Sequence, residues 1–282
     1  MSALVDPFID SERKYMISKR LLELCVENNV PLVINTKSTL ILEDPWFSLI
    51  NNLKKKHKLV VQLTITHNST SPLEPFAPPN DTRLFVAKEL SKRGIPIVVR
   101  IQPIIPMFNA DVVDDLIVSC YKAGARQVIL EFLKFNSFEE LQRIEKVLGL
   151  KMDHRIFELL PDGKQYSVRG ELRVSYMLLY YRTTKRLGIE FSTCKGGFIH
   201  LHTAKNCCGL HHLGKYFTRR TIEDILGIGD PSKNIFSLEQ IRRMPRPLRK
   251  KLLAHERVLD RIYQENIYRL LIVEPTRLQI DE

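Results

Sequence analysis

Two sets of polar residues in this sequence have types and spacings that could do chemistry. The first is strung along apolar runs. Lys37 follows Leu32-Val33-Ile34-Asn35-Thr36, Thr64 and Thr66 close Leu59-Val60-Val61-Gln62-Leu63, and Arg100 and Gln102 interrupt Ile97-Val98-Val99. Side chains two apart on a strand share a face, so Thr64 is paired with Thr66 and Arg100 with Gln102. On a strand covered on both sides, an arginine and a glutamine need a polar destination. Either they point into a polar barrel centre that binds a ligand, or Arg100 forms an ion pair with Glu131 and merely fills the interior. Lys37 either reaches a barrel mouth or is solvated at a strand end. The threonines either face a ligand or reflect β-propensity. Glu74, in a proline-rich loop, is read as a cap for the adjacent helix rather than a catalytic group.

The second set is Cys194, His200, His202, Cys207, Cys208, His211 and His212. Thiolates and imidazoles this close in sequence can bind Zn or an Fe–S centre. The expected ligands are Cys194, Cys207, Cys208 and His211, with one adjacent cysteine sufficing and His212 exchangeable for His211. His200 and His202 are further donors. Neither CxxC nor HxxxH occurs here, so the spacing matches no standard zinc finger, and buried thiols are the alternative.

Positioning the first set requires parallel strands. Apolar, β-branched runs from Val30 to Ser38, Lys58 to Thr66, Ile95 to Pro106 and Gln127 to Leu133 alternate with helical patterns, which predicts βαβ units. Sites in such folds lie at the carboxyl ends of the strands. The helices are expected from Ser11 to Asn29, Pro45 to Lys55, Asn80 or Asp81 to Arg93, Asp111 onward, Phe138 to Leu148 and Glu171 to Arg186. Tyr15, Ile17, Leu21, Leu22, Leu24 and Cys25 form one broad stripe on the first, with Cys25 in core packing. A strand stub at Leu4 should lie beside the Val30 strand. Past about residue 150 the rhythm changes, so the predicted division is 1–150, an α/β unit, and 151–282, a mainly helical extension carrying the Cys/His loop and basic helices from Leu238 to Leu271.

The chain of 282 residues has 43 Lys and Arg against 32 Asp and Glu, a formal charge of +11. That balance suits an anionic partner such as nucleic acid, although acidic residues interleaved with the basic ones in the terminal helices also suit a solvated face. No uncharged apolar run is long enough to span a membrane. Met1 to Pro7 lacks the basic and apolar regions of a signal peptide, and five cysteines form no paired framework, so a cytoplasmic setting is expected.

Between Leu4 and Leu150 the segments Asp6-Pro7-Phe8, Thr36-Lys37-Ser38, Leu73-Glu74-Pro75, Ala77-Pro78, Arg83-Leu84, Gly94-Ile95-Pro96 and Arg100-Ile101-Gln102-Pro103-Ile104-Ile105-Pro106 occur in that order. As an ordered set they resemble the radical S-adenosylmethionine proteins of the spore photoproduct lyase-like group. The resemblance implies a partial (β/α) barrel holding a [4Fe–4S] cluster and S-adenosylmethionine, which is cleaved to a 5′-deoxyadenosyl radical. It implies that Lys37 holds the S-adenosylmethionine carboxylate and that Thr64 or Thr66 faces its ribose or amino group. Arg100 and Gln102 complete the implied cofactor site. The group's cluster sits on a CxxxCxxC motif after the first strand, and these 282 residues contain none. The expectation is a barrel without its first βα unit that does not cleave S-adenosylmethionine alone. A separate polypeptide then supplies the cluster-binding unit, or the sequence is truncated, or the fold has lost its activity. The rival reading is a non-catalytic α/β scaffold that binds nucleic acid or a partner. An incomplete barrel should also expose a strand edge and an apolar flank near Leu4 and the Ser11 helix.

Overall fold

The computed structural model describes residues 1, 5–66, 72–160, 163–193, 198 and 201–214. Cys194, His200 and the basic helices expected from Leu238 to Leu271 lie outside the described residues.

Five parallel strands form the central sheet: β1 (Leu32–Thr36), β2 (Leu59–Thr64), β3 (Ile97–Ile104), β4 (Ala125–Phe132) and β8 (Glu190–Thr193), in the order β1-β2-β3-β4-β8. The crossovers are α3 (Trp46–Lys55), α4 (Asn80–Lys92), α5 (Val113–Lys122) and, before β8, α7 (Gly170–Leu187). The four strands read from the apolar runs are therefore parallel and adjacent in the expected order, as a partial (β/α) barrel requires. The division at residue 150 does not separate two sheets, because β8 pairs with β4 through Gln127 opposite Glu190 and Ile129 opposite Ser192. A second, antiparallel sheet of β5 (Lys134–Phe135), β6 (Phe157–Leu159) and β7 (Tyr166–Val168), with α6 (Phe138–Leu148), fills the connection between β4 and α7.

Strand alternation sorts the side chains. Val61, Leu63, Ile97, Val99, Ile101, Val128 and Leu130 join the core under the helices. Val60, Val98 and Ile129 on the opposite face meet Leu213, with Val33 and Leu210 packed alongside. That inner face is covered toward its amino-terminal end by residues 206–213, which behave as a floor.

The first helix differs from the expected continuous one. It is split into α1 (Glu12–Tyr15) and α2 (Ile17–Glu27) at Met16, which has a φ of 53°. The apolar stripe on α2 is wider than the surface available to it. Leu22 and Cys25 are buried, whereas Ile17 and Leu24, 67% and 55% exposed, face solvent with Leu21 and Tyr15. The exposed residues lie about 100° around the helix from the buried ones. The strand stub expected at Leu4, beside the edge strand β1, lies outside the described residues. Among the described residues Met1 lies against β1, its amino group donating to the Val33 carbonyl and its carbonyl accepting from the Asn35 amide.

Candidate functional site at the carboxyl edge of the sheet

The end of β1 is locked by a buried-side carboxylate. Asp6 accepts hydrogen bonds from the Thr36 hydroxyl at 2.7 Å and the Lys37 amide at 2.6 Å. With its backbone held, Lys37 extends its ammonium to Glu74 Oε1 at 2.7 Å. The other carboxylate oxygen of Glu74 lies 2.8 Å from Arg83 Nη1 and accepts from the Thr66 hydroxyl at 3.3 Å. Arg83 is only 1% exposed, and it also donates to the carbonyls of Pro78 at 2.7 Å and Thr64 at 2.9 Å. A buried arginine is tolerable only with its charge paired and its donors used, and both conditions are met here. Burial pushes the Glu74 carboxyl up, but the hydrogen bond from Lys37 and the charges of Arg83 and Lys37 outweigh it and hold the group below the usual carboxylate range.

Glu74 is thus neither a helix cap nor a bystander. Asn80 and Asp81, residue types that cap helices and one of which was expected to cap α4, lie inside it instead. The residue before α4 is Pro79, and the buried Asn80 side chain accepts instead from the Thr66 amide at 3.2 Å. Asn109 donates to the carbonyls of Thr66 at 2.6 Å and Pro103 at 3.0 Å while accepting from the Ile105 amide at 2.7 Å. It ties the ends of β2 and β3 together.

Of the implied cofactor residues, Arg100 and Gln102 share a face as expected and bond to each other. Arg100 Nη2 donates to Gln102 Oε1 at 2.8 Å and Nη1 to Gln62 Oε1 at 3.2 Å. Thr64 sits opposite Arg100 in register, and its carbonyl receives Arg83, so it joins this group to the Glu74 group. Thr66 lies beyond the last residue of β2, so strand alternation does not carry its side chain to the face of Thr64. Its hydroxyl is turned to Glu74. The Glu131 carboxylate pairs with Lys134.

At the floor, the Cys/His loop is held to the inner face through backbone carbonyls. Gln62 donates to the Cys208 carbonyl at 2.6 Å, and Gln127 donates to Ser192 Oγ at 2.8 Å and to the Asn206 carbonyl at 3.0 Å. Cys207 and Cys208 place their sulfurs 3.8 Å apart. His202 Nε2 lies 2.9 Å from the Thr193 amide, which can only donate, so this nitrogen is the acceptor. His211 and His212 turn to Glu190, with their Nε2 atoms 2.7 and 3.3 Å from its Oε2. Glu190 was not among the expected ligands. It is the first residue of a short strand, and its sequence position says nothing of two histidines more than twenty residues later.

A [4Fe–4S] cluster does not fit the described residues. Cys25 and Cys120 are buried in the helical core, where burial raises the Cys120 thiol far above its ordinary value, and Cys207 and Cys208 lie on the floor. A carboxylate-bearing ligand does fit the opposite edge. Lys37 is 37% exposed at its side chain, and an ammonium has three donors, so it can serve a ligand while keeping Glu74. Lys37 and Arg83 are balanced there by the carboxylates of Glu74 and Asp6, so what the edge offers a ligand is the exposed part of the Lys37 ammonium. Among the described residues, no helix is long and apolar enough to cross a membrane.

The fold is similar to that of part of spore photoproduct lyase. One variant of that enzyme, solved with bound AdoMet and dinucleoside spore photoproduct, superposes with a TM-score of 0.50 at 15% identity, over 64% of this chain and 56% of that one. Curated relatives include an uncharacterised protein of Acidianus two-tailed virus, 28% identical over 186 residues, 61% of this chain and 60% of that protein. Another, from Methanocaldococcus jannaschii, is 30% identical over 146 residues, 50% of this chain and 52% of that protein. The chain therefore spans between half and two thirds of the length of these curated relatives. No family model matches it.

Proposed function

We propose that this chain binds S-adenosylmethionine at the carboxyl edge of its parallel sheet, with Lys37 holding the ligand's carboxylate. The observation that carries the reading is the arrangement of Lys37, Glu74 and Arg83: a partly exposed ammonium held by an ionised carboxylate on a locked strand end. Glu74 orients the ammonium, Arg83 keeps Glu74 ionised, and Thr66 with Asn80 and Asn109 holds the loop ends still. Arg100 and Gln102 present amide and guanidinium groups to the same face from β3. In the resembling group S-adenosylmethionine is the source of a 5′-deoxyadenosyl radical. The chain's own residues are assigned here only to binding and orienting it.

The thiolates for a cluster are assigned to a CxxxCxxC unit outside these 282 residues, in the same or another polypeptide. The exposed stripe of Ile17, Leu21 and Leu24 beside the edge strand β1 supports a docking place for such a unit. The charge of +11 supports an anionic substrate of the nucleic-acid class.

The test is calorimetric titration of the purified protein with S-adenosylmethionine. Wild type should bind, and Lys37→Ala should weaken binding about tenfold to a hundredfold, the worth of one charge-assisted hydrogen bond, with an unchanged circular dichroism spectrum. Absence of binding by wild type, or equal binding by the variant, would remove this assignment.

A further inference from the structure

Three side chains at the floor converge in a way that the carboxyl-edge site does not use. Glu190, His211 and His212 each bring one ligand atom to within 4.8 Å of the others. We propose that they form a mononuclear site for a divalent transition-metal ion of the zinc class, which pins the floor segment to β8.

The geometry supports an ion over a pair of ordinary hydrogen bonds. Metal bonds from imidazole nitrogen and carboxylate oxygen are about 2.0–2.2 Å, so neighbouring ligand atoms around one ion lie roughly 3–3.5 Å apart. His211 Nε2 and His212 Nε2 lie 2.7 and 3.3 Å from the same Glu190 oxygen, and small adjustments reach that spacing. The rings of the two histidines are stacked obliquely, with centroids 4.0 Å apart. His212 Nε2 is buried and makes no hydrogen bond among the described residues despite its closeness to the carboxylate. Its N–H vector therefore misses the oxygen. A metal ion lying off the line between nitrogen and oxygen would use that nitrogen's lone pair, and no hydrogen needs to point at Glu190.

Burial and donor type agree. The histidine side chains are 8% and 10% exposed, whereas Glu190 is 33% exposed, which leaves one side open for further ligands. Two imidazoles and one carboxylate suit zinc and its neighbours and do not suit calcium or magnesium, which prefer all-oxygen sites. The local chain is built to bring them together. Gly209, at a φ of +74°, lies so near β3 that a Cβ there would come within 2.6 Å of Val98 Cγ2. The turn Leu210–Leu213 follows at once, with Leu213 and Leu210 packed on Val60, Val98 and Ile129. An ion at Glu190 would fasten this turn to the sheet at the end opposite Lys37, so the site is structural and independent of S-adenosylmethionine binding.

The experiment uses the whole 282-residue chain without a tag. After dialysis against EDTA, Zn2+ is titrated against a chromophoric competitor, metal is counted by plasma emission, and thermal unfolding is followed with and without Zn2+. One Zn2+ per chain, a rise in Tm of several degrees and a Co2+ absorption spectrum typical of nitrogen and oxygen ligands are expected. Glu190→Gln and His212→Asn should each weaken Zn2+ at least tenfold, while a Cys207→Ser, Cys208→Ser double variant should retain it. Substoichiometric metal with an unmoved wild-type Tm would overturn the proposal without needing any variant to fold. Loss of Zn2+ in the cysteine double variant, or a Co2+ spectrum with thiolate charge-transfer bands, would move the site to the thiols and overturn it as well.

Discussion

At the carboxyl edge of the sheet Glu74 sits between an ammonium and a guanidinium; at the amino-terminal end Glu190 sits between two imidazoles. Both carboxylates are partly buried and both are held ionised by their neighbours, Glu190 down to about 2. The partners differ in one respect that decides what each end can bind. Lys and Arg have donors and no lone pair, so Lys37 can offer the carboxyl edge only to an accepting group such as a carboxylate. A histidine nitrogen can give up its proton and offer a lone pair, so the floor can accept a cation. One sheet thus carries two carboxylate-centred clusters with opposite ligand preferences, separated by the length of its strands.

The sharpest way to break the comparison is at Arg83. Arg83→Met should leave Glu74 buried beside a half-exposed lysine and free the carbonyls of Thr64 and Pro78. Removing one partner of a buried pair costs about 3–5 kcal/mol, read as a fall in the urea midpoint. A loss below about 1 kcal/mol would show that Glu74 is solvated and that the carboxyl edge has no fixed charge centre.

A smaller effect tests the floor. Gly209→Ala places a Cβ 2.6 Å from Val98 Cγ2 in a left-handed backbone conformation. The cost should be about 1–3 kcal/mol, as for overpacking, with weaker Zn2+ binding because the turn is lifted from Glu190. An unchanged urea midpoint would mean that residues 206–213 do not seal the inner face.

The smallest effect is in the pH dependence, and it compares the two carboxylates directly. Glu190 has a folded value of about 2, below the ordinary glutamate value of about 4.3. Burial alone would raise it; the His211 hydrogen bond and the closeness of both imidazoles lower it. A depressed carboxyl adds stability above its unfolded value and loses it as pH falls through the folded one. Urea unfolding of wild type should therefore weaken from about pH 4.3 toward about 2, and Glu190→Gln should show a flatter slope across that window. Glu74 is depressed as well, so a residual slope should persist in the variant. Identical slopes in the two proteins would show that the His211–Glu190 pair is not formed in solution.

The sequence by itself determined the strands, their parallel order and the polar residues that end them. Alternation and β-branching are local properties, and a parallel strand covered on both faces must read as an apolar run wherever it sits. That is why Arg100 and Gln102 stood out on one face and were found bonded to each other. Cys25 was legible as core from its place on a helical apolar stripe and the usual burial of a thiol. The apolar stripe of α2 was legible too, but how much of it is buried was not, because that depends on what flanks β1. Tertiary structure alone decided the partners of the charged groups. Glu74 looked like a loop residue, and only folding brings Lys37 from β1 and Arg83 from α4 to its two oxygens. Glu190 carried no site reading in the sequence, and His211 and His212 looked like members of a cysteine cluster. The pairing of β8 with β4 and the turn after Gly209 placed the carboxylate and both imidazoles together. Charge pairing acts over a few ångströms between residues far apart in sequence, so no local pattern records it; the packing of apolar strands, which every local pattern records, is what brings it about.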